Sequence, residues 1–316
     1  MFQILGTGSS LPKLKVTNDD LAKKMDTSDE WIVSKTGIKS RNILSDETIT
    51  DLAVEASIKA IKDAKVDVSE IDLIVSATLV GDTITPSMSC LIAEKLGVSC
   101  PAFDINAACS GFVYALDVVA GYFARKKVKK VLVLGAERLS HHIDWSDRAT
   151  CVLFGDGAGA VVLGEGDNLR SIRLTTQPGK ANLYEDFRGG DSPFSTREFP
   201  VQHIKMNGQE VYKFAVNAIV NDIKFVLDDA KITQEKVSHF LLHQANIRII
   251  DAAIHSLKIP KEKFHNTIDH TGNLSAASIP VLLDEINKAG KLKRGDLIAI
   301  CAFGAGLTTG AMLMEW

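Results

Sequence analysis

Two stretches of this chain repeat one another in order and in kind. Asp104-Ile-Asn-Ala-Ala-Cys-Ser-Gly111 leads through a helical pattern to Lys129-Lys-Val-Leu-Val-Leu-Gly135, and Ile268-Asp-His-Thr-Gly-Asn-Leu-Ser-Ala-Ala-Ser278 leads through another to Gly295-Asp-Leu-Ile-Ala-Ile-Cys301. Each predicts strand, small-residue turn, helix, strand. The register that matches Val131 with Leu297 also lays Ile71–Ala77 over Val237–His243. Such self-similarity marks two copies of one structural unit. It predicts that Ala77 and His243 occupy equivalent strand ends, and Cys109 and Ser275 equivalent turns, so that groups from both halves meet at a pseudo-twofold centre.

Short apolar runs alternate with helical spacing along both halves. Ile71–Ala77, Ala102–Ile105, Val131–Gly135 and Ala160–Leu163 read as buried strands, and Met88–Leu96, Ser110–Ala124 and Gln209–Asp229 as helices. The class is α/β with a largely parallel sheet. Near the N-terminus, Thr27-Ser28-Asp29-Glu30 has capping-box spacing and Gly37 suits a helix end, which puts Trp31 and Lys35 on one side of a short helix. Residues 164–200 are polar and without period, and read as an irregular connector.

At 316 residues, with 46% hydrophobic residues and 36 Lys+Arg against 39 Asp+Glu, the chain can bury a large core. It carries no cationic excess for a nucleic acid or an anionic membrane. Its first dozen residues have no secretory pattern, and no apolar run reaches membrane-spanning length, so a cytoplasmic protein is expected. Five cysteines without a C-x-x-C spacing favour free thiols over disulfides or a zinc ribbon.

Cys109 follows a buried strand, has small neighbours and precedes a long apolar helix. The helix N-terminus is expected to lower its pKa toward neutrality and make it an acyl acceptor; the competing reading is an inert buried thiol. His243 closes Phe240-Leu-Leu-His, at the carboxyl end of a strand where α/β sites form. Asn273 lies in a turn that enters a helix. Either alone is more often structural, and their joint placement in a duplicated frame points to chemistry. The glycines of Phe154-Gly-Asp-Gly-Ala-Gly159 fit close backbone packing better than a phosphate loop. Gly6-Thr-Gly8 lacks the third glycine of a dinucleotide fingerprint. His141-His142 with Asp144 is a poor metal set, and His265 and His270 flank a predicted strand without suggesting a site.

Cys109, His243-Gln-Ala-Asn246, Gly272-Asn273-Leu-Ser-Ala-Ala-Ser278 and Ala302-Phe-Gly-Ala-Gly-Leu-Thr-Thr-Gly310 together resemble the β-ketoacyl-acyl-carrier-protein synthase III family, as do Asp26–Ile32, Thr36–Ile38 and Asp147–Cys151. The resemblance spans the whole chain. It implies a duplicated thiolase-like fold of five layers, αβαβα, with an N-terminal half (1–170) carrying the cysteine and a C-terminal half (171–316) carrying His and Asn. It implies a homodimer that condenses a short acyl-CoA with malonyl-acyl carrier protein, with no cofactor and no metal. By the same resemblance, Cys109 is the nucleophile, the backbone amides of Cys109 and Ala305 form the oxyanion hole, and His243 and Asn273 stabilise an enolate. Thr27, Trp31, Lys35, Arg148, Met206, Gly208 and Asn246 match CoA positions, Phe303 and Thr85 match acyl-pocket positions, and Lys213 and Arg248 match carrier-protein contacts. Lys35 stands where Arg is common, and Thr85 where a bulky aromatic from the dimer partner closes the pocket of acetyl-selective relatives. That departure predicts a longer or branched primer.

Three rivals remain. A papain-like cysteine hydrolase also uses Cys, His and Asn in this order at comparable spacing, but its C-G-S-C-W signature is missing. Another thiolase-fold condensing enzyme, including a secondary-metabolite type, is possible; a thiolase proper would bring a second catalytic cysteine near the C-terminus, where Cys301 lies in a predicted strand instead. A non-catalytic CoA-binding or redox-sensing protein is the third.

Overall fold

The computed structural model of the chain describes residues 1–186, 193–194 and 203–316. The first half opens with β1 (Phe2–Ser10) and the paired strands β2 (Leu14–Thr17) and β3 (Ser40–Ile43), with α1 (Asn18–Ala22) and α2 (Asp29–Thr36) between them in sequence. It continues through α3 (Ile49–Ala64), β4 (Leu73–Ala77), α4 (Met88–Leu96), β5 (Ala102–Ile105), α5 (Gly111–Ala124), β6 (Lys130–Arg138) and β7 (Asp156–Glu165). The second half contains β8 (Leu169–Thr176), the short pair β9 (Leu183–Tyr184) and β10 (Lys205–Met206), α6 (Gly208–Asp229), β11 (His239–Leu242) and α7 (Ile247–Leu257). It ends with α8 (Ile268–Thr271), α9 (Ser278–Lys288), β12 (Leu297–Gly304) and β13 (Thr308–Glu315).

Among the described residues, one sheet has the order β1-β7-β6-β4-β5 and the other β8-β13-β12-β11. The orders match strand for strand. In place of a fifth strand, Phe264 makes a single parallel bridge to Phe240 on β11, with their rings stacked at 5.1 Å. Both sheets are mixed rather than largely parallel. β4 runs parallel to β5 and β6, and β11 to β12, but β7 and β13 each return antiparallel to the strand before them because no crossover helix intervenes.

Two helices lie between the sheets. α5 and α9 pack into one cluster with β1, β4 and β6 on one side and β11, β12 and β13 on the other. An element enclosed on both faces has to be apolar all round, and α5 (Gly-Phe-Val-Tyr-Ala-Leu-Asp-Val-Val-Ala) is nearly so. α3 and α4 cover the outer face of the first sheet, and α6 and α7 that of the second. The result is five layers in the duplicated thiolase-like arrangement. Among the described residues no helix is long and apolar enough to cross a membrane.

Four local expectations need correction. The stretch 164–200 holds β8, which pairs antiparallel with β13 at the sheet edge; residues 187–192 and 195–200 of it lie outside the described residues. The strand expected around Ile268–His270 is helix α8, closed by the Thr271 N–H and hydroxyl donating to Thr267 O. In α2 the cap is Ser28, which accepts from the Trp31 N–H at 3.1 Å, one residue later than the Thr27 box predicts; Gly37 does end the helix, at φ +81°. The register of the halves also slips by one residue. Leu73 pairs with Val131 in the first sheet while His239 pairs with Ile298 in the second, so the turn residue equivalent to Ser275 is Ala108, not Cys109. Both have φ +48°.

Candidate active site

The two halves meet by exchanging supports. The turn Ala108–Ser110 rests on β12 of the other half, and the turn Ser275–Ala277 rests on β6. Glycine makes each approach possible: a Cβ on Gly304 would stand 2.7 Å from Cys109 N, and one on Gly135 would stand 2.2 Å from Ala276 O. Hydroxyls then lock the cysteine turn to the Gly304–Gly306 turn. Ser110 Oγ and Thr308 Oγ1 lie 2.6 Å apart, Thr308 Oγ1 donates toward Ala107 O and Ala305 O, and Ser110 Oγ donates to Ala107 O.

Between these turns opens a cavity of about 1740 Å³ whose wall includes Cys109, His243, Asn273, Phe303 and Ala305. Sequence reasoning brought these five together from four separate segments. Cys109 keeps part of its surface open to the cavity, but protein surrounds the sulfur closely. Loss of hydration pushes the thiol up to about 12, against the Ser275 hydroxyl, which works the other way, and with a smaller push from Glu137. The expectation of a thiol lowered toward neutrality is not met, because burial moves it the other way. α5 begins only at Gly111, two residues beyond Cys109 and after the short turn.

His243 is 1% exposed, and its main chain is pinned by its N–H donating to Cys301 O at 2.8 Å. Burial pushes the imidazole down to about 3, so it is neutral at physiological pH and retains one N–H to donate. Phe303 meets it edge-on, with ring centroids 5.1 Å apart. Asn273 is fixed at both ends. Its N–H donates to Leu153 O and its carbonyl accepts from Gly155 N–H, while its side-chain Oδ1 accepts from Ser275 N–H at 2.8 Å. That leaves the amide N–H groups to serve a ligand. The supporting segment is held by the fully buried Arg41, whose Nη2 donates to Val152 O at 2.7 Å.

Five of the remaining expected residues line the same cavity: Met206, Gly208, Asn246, Lys213 and Arg248. Asn246 also caps α7 and donates to Lys35 O. Five others stand outside it. The Arg148 guanidinium lies over the Trp31 indole at 5.2 Å and donates to Asp26 O at 2.7 Å. Two stacked aromatic spacings are about 7 Å, so the guanidinium must swing away before a flat ring can enter between them. Thr27 is half-buried with its hydroxyl unpartnered among the described residues, and the Lys35 side chain is exposed. Trp31 packs in the same apolar cluster as Met206, which joins this surface to the cavity mouth. Thr85 is exposed and absent from the cavity wall of its own chain, whose nearest contributors are Thr83 and Ile84.

Sequence reasoning gave no role to Ser110, Thr308, Glu137 or Arg41, and placed Ser275 only as a turn position. Ser110, Thr308 and Ser275 lie inside quoted motifs and carry hydroxyls at the turns, a signal that was available. Glu137 and Arg41 are charged residues in apolar or strand-like surroundings and become informative only when seen buried. Among the described residues no group of three or more His, Cys, Asp or Glu could hold a metal ion.

Comparison with known proteins agrees with this geometry. The family model for 3-oxoacyl-[acyl-carrier-protein] synthase III matches residues 103–178, and the model for its C-terminal part matches 227–316. The chain is 44% identical to the beta-ketoacyl-[acyl-carrier-protein] synthase III of Clostridium acetobutylicum, over 99% of this chain and 98% of the relative. The crystal structure of 3-oxoacyl-[acyl-carrier-protein] synthase III from Aquifex aeolicus superposes with a TM-score of 0.94 at 45% identity, covering 100% of both chains. The priming beta-ketosynthase of the R1128 polyketide biosynthetic pathway superposes at 0.93 with 33% identity, covering 100% of this chain and 96% of that one.

Proposed function

Because this chain belongs to the β-ketoacyl-acyl-carrier-protein synthase III family of thiolase-fold condensing enzymes, we propose that it joins a short acyl-CoA primer to malonyl-acyl carrier protein, releasing CoA and carbon dioxide. It is an acyltransferase of the condensing type. The observation that carries the reading is that Cys109, His243 and Asn273 line one cavity with the Gly304–Gly306 turn at its wall.

In the first half-reaction the Cys109 sulfur bonds to the thioester carbon and the carbon–sulfur bond to CoA breaks, with the thiol proton leaving on CoA. The oxyanion formed on the way is held by the N–H groups of Cys109 and Ala305. A thiol held near 12 gives up its proton only as it attacks, and that proton ends on the departing CoA sulfur while His243 stays neutral. In the second half-reaction the malonyl carboxylate leaves as carbon dioxide, and the thioester oxygen takes on negative charge. His243 N–H and the Asn273 amide stabilise it as neutral donors that do not quench the carbanion. The carbanion then attacks the acyl carbon and frees the sulfur.

Thr27, Trp31, Lys35, Arg148, Met206, Gly208 and Asn246 bind CoA along the cavity mouth, where Lys213 and Arg248 receive the acidic carrier protein. The two halves, 1–170 and 171–316, act as the two walls of the site. The protein works as a homodimer through β5, an edge strand whose residues are all partly exposed. In that dimer Thr85 reaches the partner's acyl pocket, and its small side chain admits a branched or longer primer. The likeness to a priming polyketide synthase supports a second reading, the same reaction in a secondary pathway with a different primer.

Intact-protein mass spectrometry after mixing with acyl-CoA tests the cycle. The expected result is a single acyl adduct that is lost in Cys109→Ala and is consumed on adding malonyl-carrier protein. An adduct that persists in Cys109→Ala, or no adduct with any acyl-CoA, overturns the reading. Rates with acetyl-, isobutyryl- and hexanoyl-CoA test the primer, and strict preference for acetyl would remove the role given to Thr85.

A further inference from the structure

Two buried polar side chains behind the nucleophile take no part in the steps above. Glu137, near the end of β6, is 1% exposed and does not reach the cavity wall. Its Oε2 accepts from the Leu79 N–H at 3.0 Å and, more distantly, from the Thr78 hydroxyl at 3.5 Å. Its Oε1 has no hydrogen-bond partner among the described residues. Thr78, Leu79, Ser275 and Ala276 surround it. Burial pushes such a carboxyl up to about 8, so at neutral pH it keeps its proton.

Ser275 is the second. It is 1% exposed and occupies a left-handed turn position at φ +48°, which a non-glycine residue adopts at a cost of about 1 kcal/mol or more. Its side chain is in reach of both the Cys109 sulfur and the Glu137 carboxyl, yet its Oγ has no hydrogen-bond partner among the described residues. A hydroxyl and a carboxyl oxygen both left open, side by side, form a two-step path ending at the sulfur.

We propose that Glu137 and Ser275 are a positioning pair that decides whether the Cys109 sulfur has a hydrogen-bond donor at the moment it takes on charge. With Glu137 protonated, its O–H donates to Ser275 Oγ, and the Ser275 O–H is free to donate to Sγ and steady the thiolate. Once Glu137 loses its proton to solvent, the carboxylate accepts the Ser275 O–H instead. The sulfur then loses its donor and faces a second negative charge. The groups acting on the thiol are Ser275 from the second half and Glu137 from β6; His243, in the same cavity, is neutral throughout.

This inference rests on Cys109 being the nucleophile but is tested without any substrate. The rate of Cys109 alkylation by iodoacetamide, located by mass spectrometry, is followed from pH 6 to 10 in the wild type, Glu137→Gln and Ser275→Ala. Below about pH 7 wild type and Glu137→Gln should react alike, because both present a neutral group. Above pH 8 the wild type should fall behind by on the order of tenfold, one unit of thiol pKa. Ser275→Ala should react on the order of tenfold slower at pH 7, at an unchanged melting temperature. Superimposed wild-type and Glu137→Gln profiles overturn the proposal. So does wild-type reactivity in Ser275→Ala, which decides the matter alone if Glu137→Gln does not fold. Profiles that separate as expected in a protein that acyl-CoA cannot load would retain this pair and remove the proposed reaction.

Discussion

Gly304 lies so close to Cys109 that a single added carbon on it would stand 2.7 Å from the cysteine's backbone nitrogen. The glycine is required by this approach and not by its own backbone angle, since its φ lies outside the left-handed region. Gly304→Ala must therefore push the cysteine turn away from the Gly304–Gly306 turn and separate the two backbone N–H groups proposed to hold the oxyanion. Loss of such a donor costs on the order of a hundred- to a thousandfold in rate. The expected outcome is that loss in the rate of Cys109 acylation, read by rapid-quench mass spectrometry, with acyl-CoA binding by calorimetry little changed.

Asn273 is assigned to the second half-reaction only. Asn273→Ala is expected to slow malonyl decarboxylation by on the order of a hundredfold, about 3 kcal/mol, and acyl transfer by only a few-fold. Release of labelled carbon dioxide and formation of the acyl adduct measure the two separately. Equal losses in both would remove the assignment.

The Arg148–Trp31 pair sits at the surface, and its attraction is of the exposed kind, about 0.5–1 kcal/mol. A flat ring stacked on Trp31 gains about 0.5–1.5 kcal/mol, so Trp31→Ala should raise the KM for acyl-CoA by roughly two- to tenfold, with kcat retained, in steady-state assays. A loss confined to kcat would place the pair outside the CoA site.

His270 provides a pH signature of stability away from the cavity. Glu285, and after it Asp269, hold its imidazole up at about 9, against burial, which works in the other direction. The folded value lies above the unfolded one near 6.5, so the unfolded chain binds fewer protons between them and stability falls as pH rises. The full contribution is present below pH 6.5 and is lost as pH passes through 9. In urea titrations, His270→Gln should be less stable than the wild type at pH 6, and the gap should close by pH 10. Solvent reaches the side chain, which keeps the difference modest.

The parts that were legible in the sequence share one property: their signal is carried by many residues at once. The runs now seen as β4, β5, β6 and α5 are apolar enough to be read singly, and the cavity set rests on motifs that hold their order across the chain. What was missed depends on few residues or on partners remote in sequence. β8 is an edge strand, Leu-Arg-Ser-Ile-Arg-Leu-Thr-Thr, whose polar residues suit a half-exposed position and hide the strand period. α8 is four residues long. The one-residue slip that makes Ala108 the counterpart of Ser275 is invisible until strand pairing is known. The acidity of Cys109 was misjudged because helix position is local information and burial is not.

In the register given by the strands, the place that carries sulfur in the first copy carries the methyl of Ala276 in the second. Ala276 is 1% exposed, and its carbonyl is covered by Gly135. A thiol introduced there would be enclosed by protein, since Ala276 is buried and is not part of the cavity wall. The duplicated frame is thus chemically one-sided: one copy presents a sulfur at the cavity wall, and its twin presents only a methyl at the matching place.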